Sequence, residues 1–303
     1  MRLLQQIKPL RSYLRAIRQD GKSIGYVPTM GSLHEGHLSL FRRARADCDT
    51  SVVSIFVNPR QFGPNEDYTA YPRDPHGDAQ LASTAGVDAI FIPAADHIYP
   101  KGFQTRIEVE TLSQLLEGVS RPGHFSGVAT VVAKLLNIVQ PDIAYFGQKD
   151  YQQALLIERM VTDLNIPIEV RIEPTVREAD GLALSSRNAY LSQEEREAAA
   201  ILYKSLQCVR EKICDGVRDP HHLIQAMENR IKEEPLAKVD YITIADPKTL
   251  IPLKSSIHDT FLAALAVRIG SVRLLDNMLF SSQGESVIPG RNRHNQESDF
   301  RNE

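Results

Sequence analysis

No run in this 303-residue sequence is apolar for long enough to cross a bilayer, so a membrane is not an expected partner. The first residues, Met1 to Pro9, lack the long apolar core and small-residue cleavage site of a secretory leader. Cysteine is scarce. Cys48, Cys208 and Cys214 have no metal-ligand spacing, and their odd number argues against a disulfide framework. These absences point to a cytoplasmic protein whose thiols pack as ordinary side chains. Neither sign of charge is in large excess: the net charge is −3 and there is no long basic run, so nucleic acid is not expected either. Arg42, Arg43 and Arg45 do cluster on one predicted helix, and they read as a solvated face.

What is present is an ordinary globular composition, 42% hydrophobic and 24% charged, in a chain long enough for one large or two ordinary domains. Through the first half, strand-like runs alternate with helical patterns. Strands are expected at residues 23–27, 51–57, 88–93, 143–146 and 168–172. Helices are expected from about Gly36, over 77–85, over 129–139 after a start near Val128, and over 151–163. The run Ser51 to Val57 is apolar and rich in β-branched residues, as in a strand buried on both faces. This order predicts parallel β-α-β units with right-handed crossovers, and ligands then bind at the carboxyl ends of the strands. Thr29, Asn58, Pro93 and Gly147 all fall at such ends.

Near residue 176 the pattern changes. The stretch Val176 to Arg187 reads as a turn-centred loop or a hairpin, with Ala-Asp-Gly at its turn, and two long helices are expected over 192–214 and 219–233. Ser192 and Glu195 form a capping box for the first of them. Strand-like runs follow at 239–245, 260–267 and 273–277. The expected fold is therefore α/β, a doubly wound parallel sheet over residues 1–176 with a smaller α+β domain over 177–281. A polar tail, 282–303, is expected to be disordered.

Residues 26–37 concentrate the chemistry. A strand breaks at Pro28 and Gly31, and His34 and His37 flank Gly36 at the start of an amphipathic helix. Such a helix start offers free backbone N–H groups and the positive end of a dipole to a phosphate. Histidines three apart share a helix face. Metal ligation, helix capping and phosphate or adenine contact are all open to them, and the glycines favour the last. Other segments carry weaker signals. Asn58 and Gln61 are neutral amides suited to hydroxyls and carboxylates. Arg121 suits an anion, with a surface arginine equally consistent. Lys149 is a point charge for phosphates, and Asp150 suits a ribose or a hydrated Mg²⁺. Leu184-Ser-Ser-Arg-Asn reads as a polar turn or as a cationic loop closing on a triphosphate.

Five blocks in this order, residues 28–37, 53–62, 121–125, 146–153 and 180–188, resemble the pantoate–β-alanine ligase family from the N-terminus to about residue 280. His34-Glu-Gly-His37 is also similar to the signature of the wider nucleotidylyltransferase and class I aminoacyl-tRNA synthetase superfamily. The resemblance implies a Rossmann-like catalytic domain, a C-terminal lid and a homodimer. It implies that pantoate and ATP form pantoyl adenylate and pyrophosphate, and that β-alanine then releases AMP. The ATP site would comprise Met30, Gly31, Ser32, Leu33, His34, Glu35, Gly36, His37, Gly147, Gln148, Lys149, Asp150, Val176, Leu184, Ser185, Ser186 and Arg187. Gln61 and Gln153 would hold pantoate, with Gln61 also near β-alanine and Asn58 and Arg121 in the same shell. Among these, His34, His37, Lys149 and Arg187 would be catalytic. His37 would act from an exposed helix start, as a proton donor or as an imidazolium stabilising the α-phosphate. Mg²⁺ would bridge phosphate oxygens, its protein ligand unknown. Arg60 stands where relatives often carry methionine and is expected to point outward.

Overall fold

Successive residues of the apolar strands go to opposite sides of one sheet. Ile24, Tyr26, Val52, Ala89, Phe91, Ala144 and Phe146 enter one buried cluster, while Val27, Val53, Ile55, Ile90 and Tyr145 enter another. A sheet covered on both faces is what lets these strands be apolar throughout. The computed structural model describes residues 1–64, 66 and 68–289. The chain runs β1 (Arg2–Leu4), α1 (Ile7–Gln19), β2 (Ile24–Thr29), α2 (Glu35–Asp47), β3 (Thr50–Ile55), α3 (Pro75–Thr84), β4 (Ala89–Phe91), α4 (Ala95–Ile98), α5 (Glu117–Ser120), α6 (His124–Val139), β5 (Ile143–Gly147), α7 (Tyr151–Asp163) and β6 (Glu169–Glu173). These strands form a parallel six-stranded sheet in the order β1-β4-β3-β2-β5-β6. The order reverses between β2 and β5, which places a ligand crevice beyond their carboxyl ends. Helices α1, α6 and α7 cover one face, and α2 and α3 the other.

The second part comprises α8 (Gln193–Ala198), α9 (Ile201–Cys214), α10 (Pro220–Lys232), β7 (Ala237–Ala245), β8 (Phe261–Ile269) and β9 (Val272–Phe280), the strands forming an antiparallel sheet. On β8, Phe261, Ala263, Leu265, Val267 and Ile269 pack on α9 and α10, whereas Leu262 and Ala264 join the core of the parallel sheet. Polar ties add to this shared core. Arg273 on β9 makes a bidentate pair with Glu117 (2.6 and 2.8 Å) and a third bond to Asp240 (2.7 Å). Tyr151 donates its hydroxyl to the Pro247 carbonyl at 2.9 Å.

Several boundaries differ from expectation for local reasons. The helix expected over 192–214 is interrupted at Ala199–Ala200, between α8 and α9, although Ser192 and Glu195 do form the capping box. Helix α6 starts at His124, not near Val128, because Gly123 adopts a left-handed conformation (φ 82°) that lets the chain enter the helix four residues earlier. The tail boundary also moves. The Ser281 N–H donates to the Glu285 carbonyl, Ser286 bridges to Phe280, and the Val287 N–H donates to the Leu279 carbonyl, so pairing along β9 carries order past 281. The rest of the expected tail, 290–303, lies outside the described residues.

Gly127 lets α6 pack directly on the turn that carries Gln61, since a Cβ there would run into the Arg60 carbonyl. Gly127→Ala is expected to destabilise the protein by about 1–3 kcal/mol through overpacking, read from urea unfolding midpoints. An unchanged midpoint would mean that the turn yields freely.

Candidate functional site

The loop between β2 and α2 takes its shape from a carboxylate in another helix. Gly31 and Ser32 both have positive φ (85° and 52°), and Asp78 of α3 accepts the N–H groups of Ser32 (3.0 Å) and Leu33 (2.8 Å). Thr29 Oγ1 accepts from the Gly31 N–H at 3.2 Å. The histidines use up most of what remains. His34 Nδ1 accepts from Gly36 N (3.2 Å), and His37 Nδ1 accepts from His34 N (3.3 Å), a reciprocal capping box built of two imidazoles. The cradle of free amides expected here is therefore largely spent on protein groups. Capping and a place in the site prove compatible for His34.

With both Nδ1 atoms accepting, each neutral ring carries its proton on Nε2. The two rings lie 4.1 Å apart. Burial, and then the nearby Lys149 charge, lowers His34 to about 4; burial, and then His34, lowers His37 to about 3. Burial thus favours the neutral, N–H-donating form of both rings at neutral pH, where the expectation was an imidazolium. His37 is also half-buried, not exposed.

A cavity of about 220 Å³ opens beyond β2 and β5. It is lined by Met30, His34, Gly36, His37, Gly147, Lys149, Asp150, Val176 and residues 184–187. Gly31, Ser32, Leu33, Glu35 and Gln148 do not line it: the first three belong to the loop held by Asp78, and Glu35 is exposed and paired with Arg42 at 2.6 Å. Of the loop and the hairpin open to residues 176–187, the chain turns back on itself through one isolated antiparallel bridge, Arg177 to Ala183. Thr175, which the sequence did not single out, lines this cavity with a buried hydroxyl that has no partner among the described residues.

A second cavity of about 110 Å³ adjoins the first, walled by Phe125 and by Tyr241, Leu262, Ala264 and Leu275 of the antiparallel sheet. Met30, Gln61, Lys149, Asp150, Gln153 and Arg187 line both. These residues form a shared wall between the two compartments. Asn58 stands behind it. Only 1% exposed, Asn58 donates to Gln61 Oε1 (3.0 Å) and the Gly127 carbonyl (3.1 Å), and accepts from the Tyr99 hydroxyl (2.8 Å) and Arg60 N (3.3 Å). Its amide is fully committed, so it orients Gln61 and does not itself reach the cavities. Arg121 borders the second cavity, forked onto Glu66 at 2.8 and 2.5 Å. His124 donates Nδ1–H to the Gln61 carbonyl (2.8 Å) and receives Arg121 at Nε2 (3.1 Å); burial and then Arg121 lower it to about 4. Arg60 lies outward over Tyr99 and Phe103.

The depressed histidines carry a pH signature. Near neutrality His34, His37 and His124 lack the second ring proton in the folded protein, while in the unfolded chain they titrate near 6.5. The unfolded state therefore gains protons first on acidification, so the stability they contribute is full above that value and is lost as pH falls toward their folded values. Urea midpoints are expected to drop between about pH 7.5 and about pH 5.5, and to drop less in His34→Gln/His37→Gln. Equal drops in both proteins would rule out these rings as the source.

The pantoate-beta-alanine ligase family model matches residues 2–279. The chain is 57% identical over 279 residues to the pantothenate synthetase of Moorella thermoacetica, covering 92% of this chain and 98% of that one. It is 56% identical to that of Pelotomaculum thermopropionicum, covering 92% and 99%. Among solved structures, pantothenate synthetase from Thermus thermophilus is similar with a TM-score of 0.87 and 48% identity, over 92% of this chain and 99% of that chain. The Francisella tularensis pantoate-beta-alanine ligase, solved with beta-gamma ATP and beta-alanine, has a TM-score of 0.75 and 38% identity, over 93% and 98%.

Proposed function

The chain belongs to the pantoate–β-alanine ligase family, and from that premise we propose that it makes pantothenate through a pantoyl-adenylate intermediate held at the wall between its two cavities. The observation that carries this reading is the wall itself: Met30, Gln61, Lys149, Asp150, Gln153 and Arg187 face both compartments. A reaction that first activates an acid with a nucleotide and then passes the acyl group to an amine needs one group accessible from two sides.

ATP occupies the larger cavity. A pantoate carboxylate oxygen attacks the α-phosphorus, the bond to the bridging oxygen breaks, and pyrophosphate leaves. Gln61 and Gln153 hold pantoate through amides that can both donate to a carboxylate and accept from hydroxyls. Lys149 and Arg187, with Ser185 and Ser186, offset the charge growing on the phosphates. His34 and His37 donate from Nε2–H, as neutral dipoles fixed before substrate arrives. The Thr175 hydroxyl, buried at the cavity edge, suits the nucleotide's polar edge. Among the described residues, Asp150 is the one carboxylate on the larger cavity, so it would be the side chain to hold a Mg²⁺, which would supply charge neutralisation at the triphosphate. In the second step the β-alanine amine, entering from the smaller cavity, attacks the acyl carbon. The acyl–oxygen bond breaks, AMP leaves, and the proton of the attacking amine passes to solvent water. The enzyme works as a cytoplasmic homodimer in which residues 177–281 close over the site.

Pantoate is expected to stimulate ATP–pyrophosphate exchange without β-alanine, and addition of β-alanine to release AMP. Gln153→Ala is expected to raise the pantoate KM by about tenfold or more, from the loss of buried hydrogen bonds, with the ATP KM little changed. Exchange driven by a phosphorylated acceptor but not by pantoate would replace this reading with an adenylyltransferase.

A further inference from the structure

Strand β9 reaches the phosphate lysine from the other sheet. Its residues Arg273, Leu275, Asn277 and Leu279 face the parallel sheet: Arg273 pairs with Glu117, Leu275 lines the smaller cavity, and Leu279 enters the main core. Asn277 lies among them, 5% exposed. Its Nδ2 donates to the carbonyl oxygens of Gln148 (3.0 Å) and Lys149 (2.8 Å), the turn between β5 and α7. Both amide protons are thereby spent on the two residues whose backbone sets where the Lys149 ammonium points. The same side chain leaves Oδ1 buried without a partner among the described residues. A buried acceptor left unsatisfied is costly, and turning the amide over would set that oxygen against the two carbonyls. The orientation is thus fixed by the turn.

The strand is braced at this point. Asp276, 2% exposed, forms a bidentate pair with Arg177 (2.6 and 2.8 Å), and Arg177 also donates to the Gly181 carbonyl at 3.0 Å. Two adjacent residues of β9 therefore hold both the lysine turn and the hairpin that leads to Arg187. We propose that Asn277 is a positioning residue for the nucleotide site, acting through the Lys149 backbone so that the antiparallel sheet sets where that ammonium meets the phosphates. This rests on the nucleotide reading of the larger cavity but not on the identity of the acid.

The test is MgATP binding to the full chain by calorimetry, with folding checked by thermal melting. Asn277→Asp keeps the shape but turns a carboxylate on two carbonyls; it is expected to weaken MgATP by about tenfold, as loss of a hydrogen bond serving a charged group does. Asn277→Ser, which keeps one donor, is expected to fall between the unaltered protein and the aspartate variant. If Asn277 acts through Lys149, then Lys149→Ala/Asn277→Ser binds MgATP no more weakly than Lys149→Ala alone. Asn277 and Lys149 also line the smaller cavity, so in exchange assays the ATP KM should rise by more than the pantoate KM. Additive losses in the double variant, or wild-type MgATP affinity in either folded single variant, would overturn the assignment. If Asn277→Asp does not fold, the serine variant and the cycle decide. Failure of pantoate to drive exchange in the unaltered protein would instead remove the proposed acid and leave the binding result standing.

Discussion

Two imidazole nitrogens that face the protein decide what the two that face the cavity can offer. His34 Nδ1 and His37 Nδ1 each accept a backbone N–H, so the rings are fixed in one tautomer and present Nε2–H outward. Their position depends in turn on Asp78, which holds the strained Gly31–Ser32 turn by its following amides. A helix start usually binds anions through its own backbone. Here that capacity is used to orient side chains, and the groups that line the cavity include two imidazoles, a lysine and an arginine. The benefit is preorganisation: donors held before substrate arrives need no reorganisation when charge develops.

The second constraint is the reversal of strand order between β2 and β5. It brings the histidine loop and the Gly147–Asp150 turn to neighbouring strand ends, although more than a hundred residues of sequence separate them. The antiparallel sheet then closes the site from a third direction. Because Leu262, Ala264 and Leu279 belong to the main core, the two sheets share buried surface, and the ion pair between Arg273 and Glu117 fixes their register. Removing one partner of such a buried pair leaves the other uncompensated, so loss of either Arg273 or Glu117 is costly.

Much of this was legible in the residues. Alternating strands and helices gave the parallel sheet, and the ordered blocks from His34 to Arg187 carried the family resemblance. What stayed hidden were residues whose meaning lies in a distant partner. Asp78 reads as one more acid near the start of a helix, Asn277 as a polar residue in an apolar strand, and Thr175 as part of a loop; none has a local pattern to mark it. Asn58 was legible as a site residue, but only its four bonds reveal that it orients Gln61. Helix α1 is a different case. Ile7, Leu10, Leu14 and Ile17 fall at helical spacing, and Leu10 and Leu14 are wholly buried, yet the many charges between them obscure the stripe.

The shared wall also limits how this active site can diverge. A change at Gln61, Lys149, Gln153 or Arg187 reshapes the lining of both cavities at once. Tyr241, Leu262, Ala264 and Leu275 border only the smaller cavity. Together with Phe125 and Arg121 of the parallel-sheet part, they can change the shape of the smaller cavity without touching the larger one.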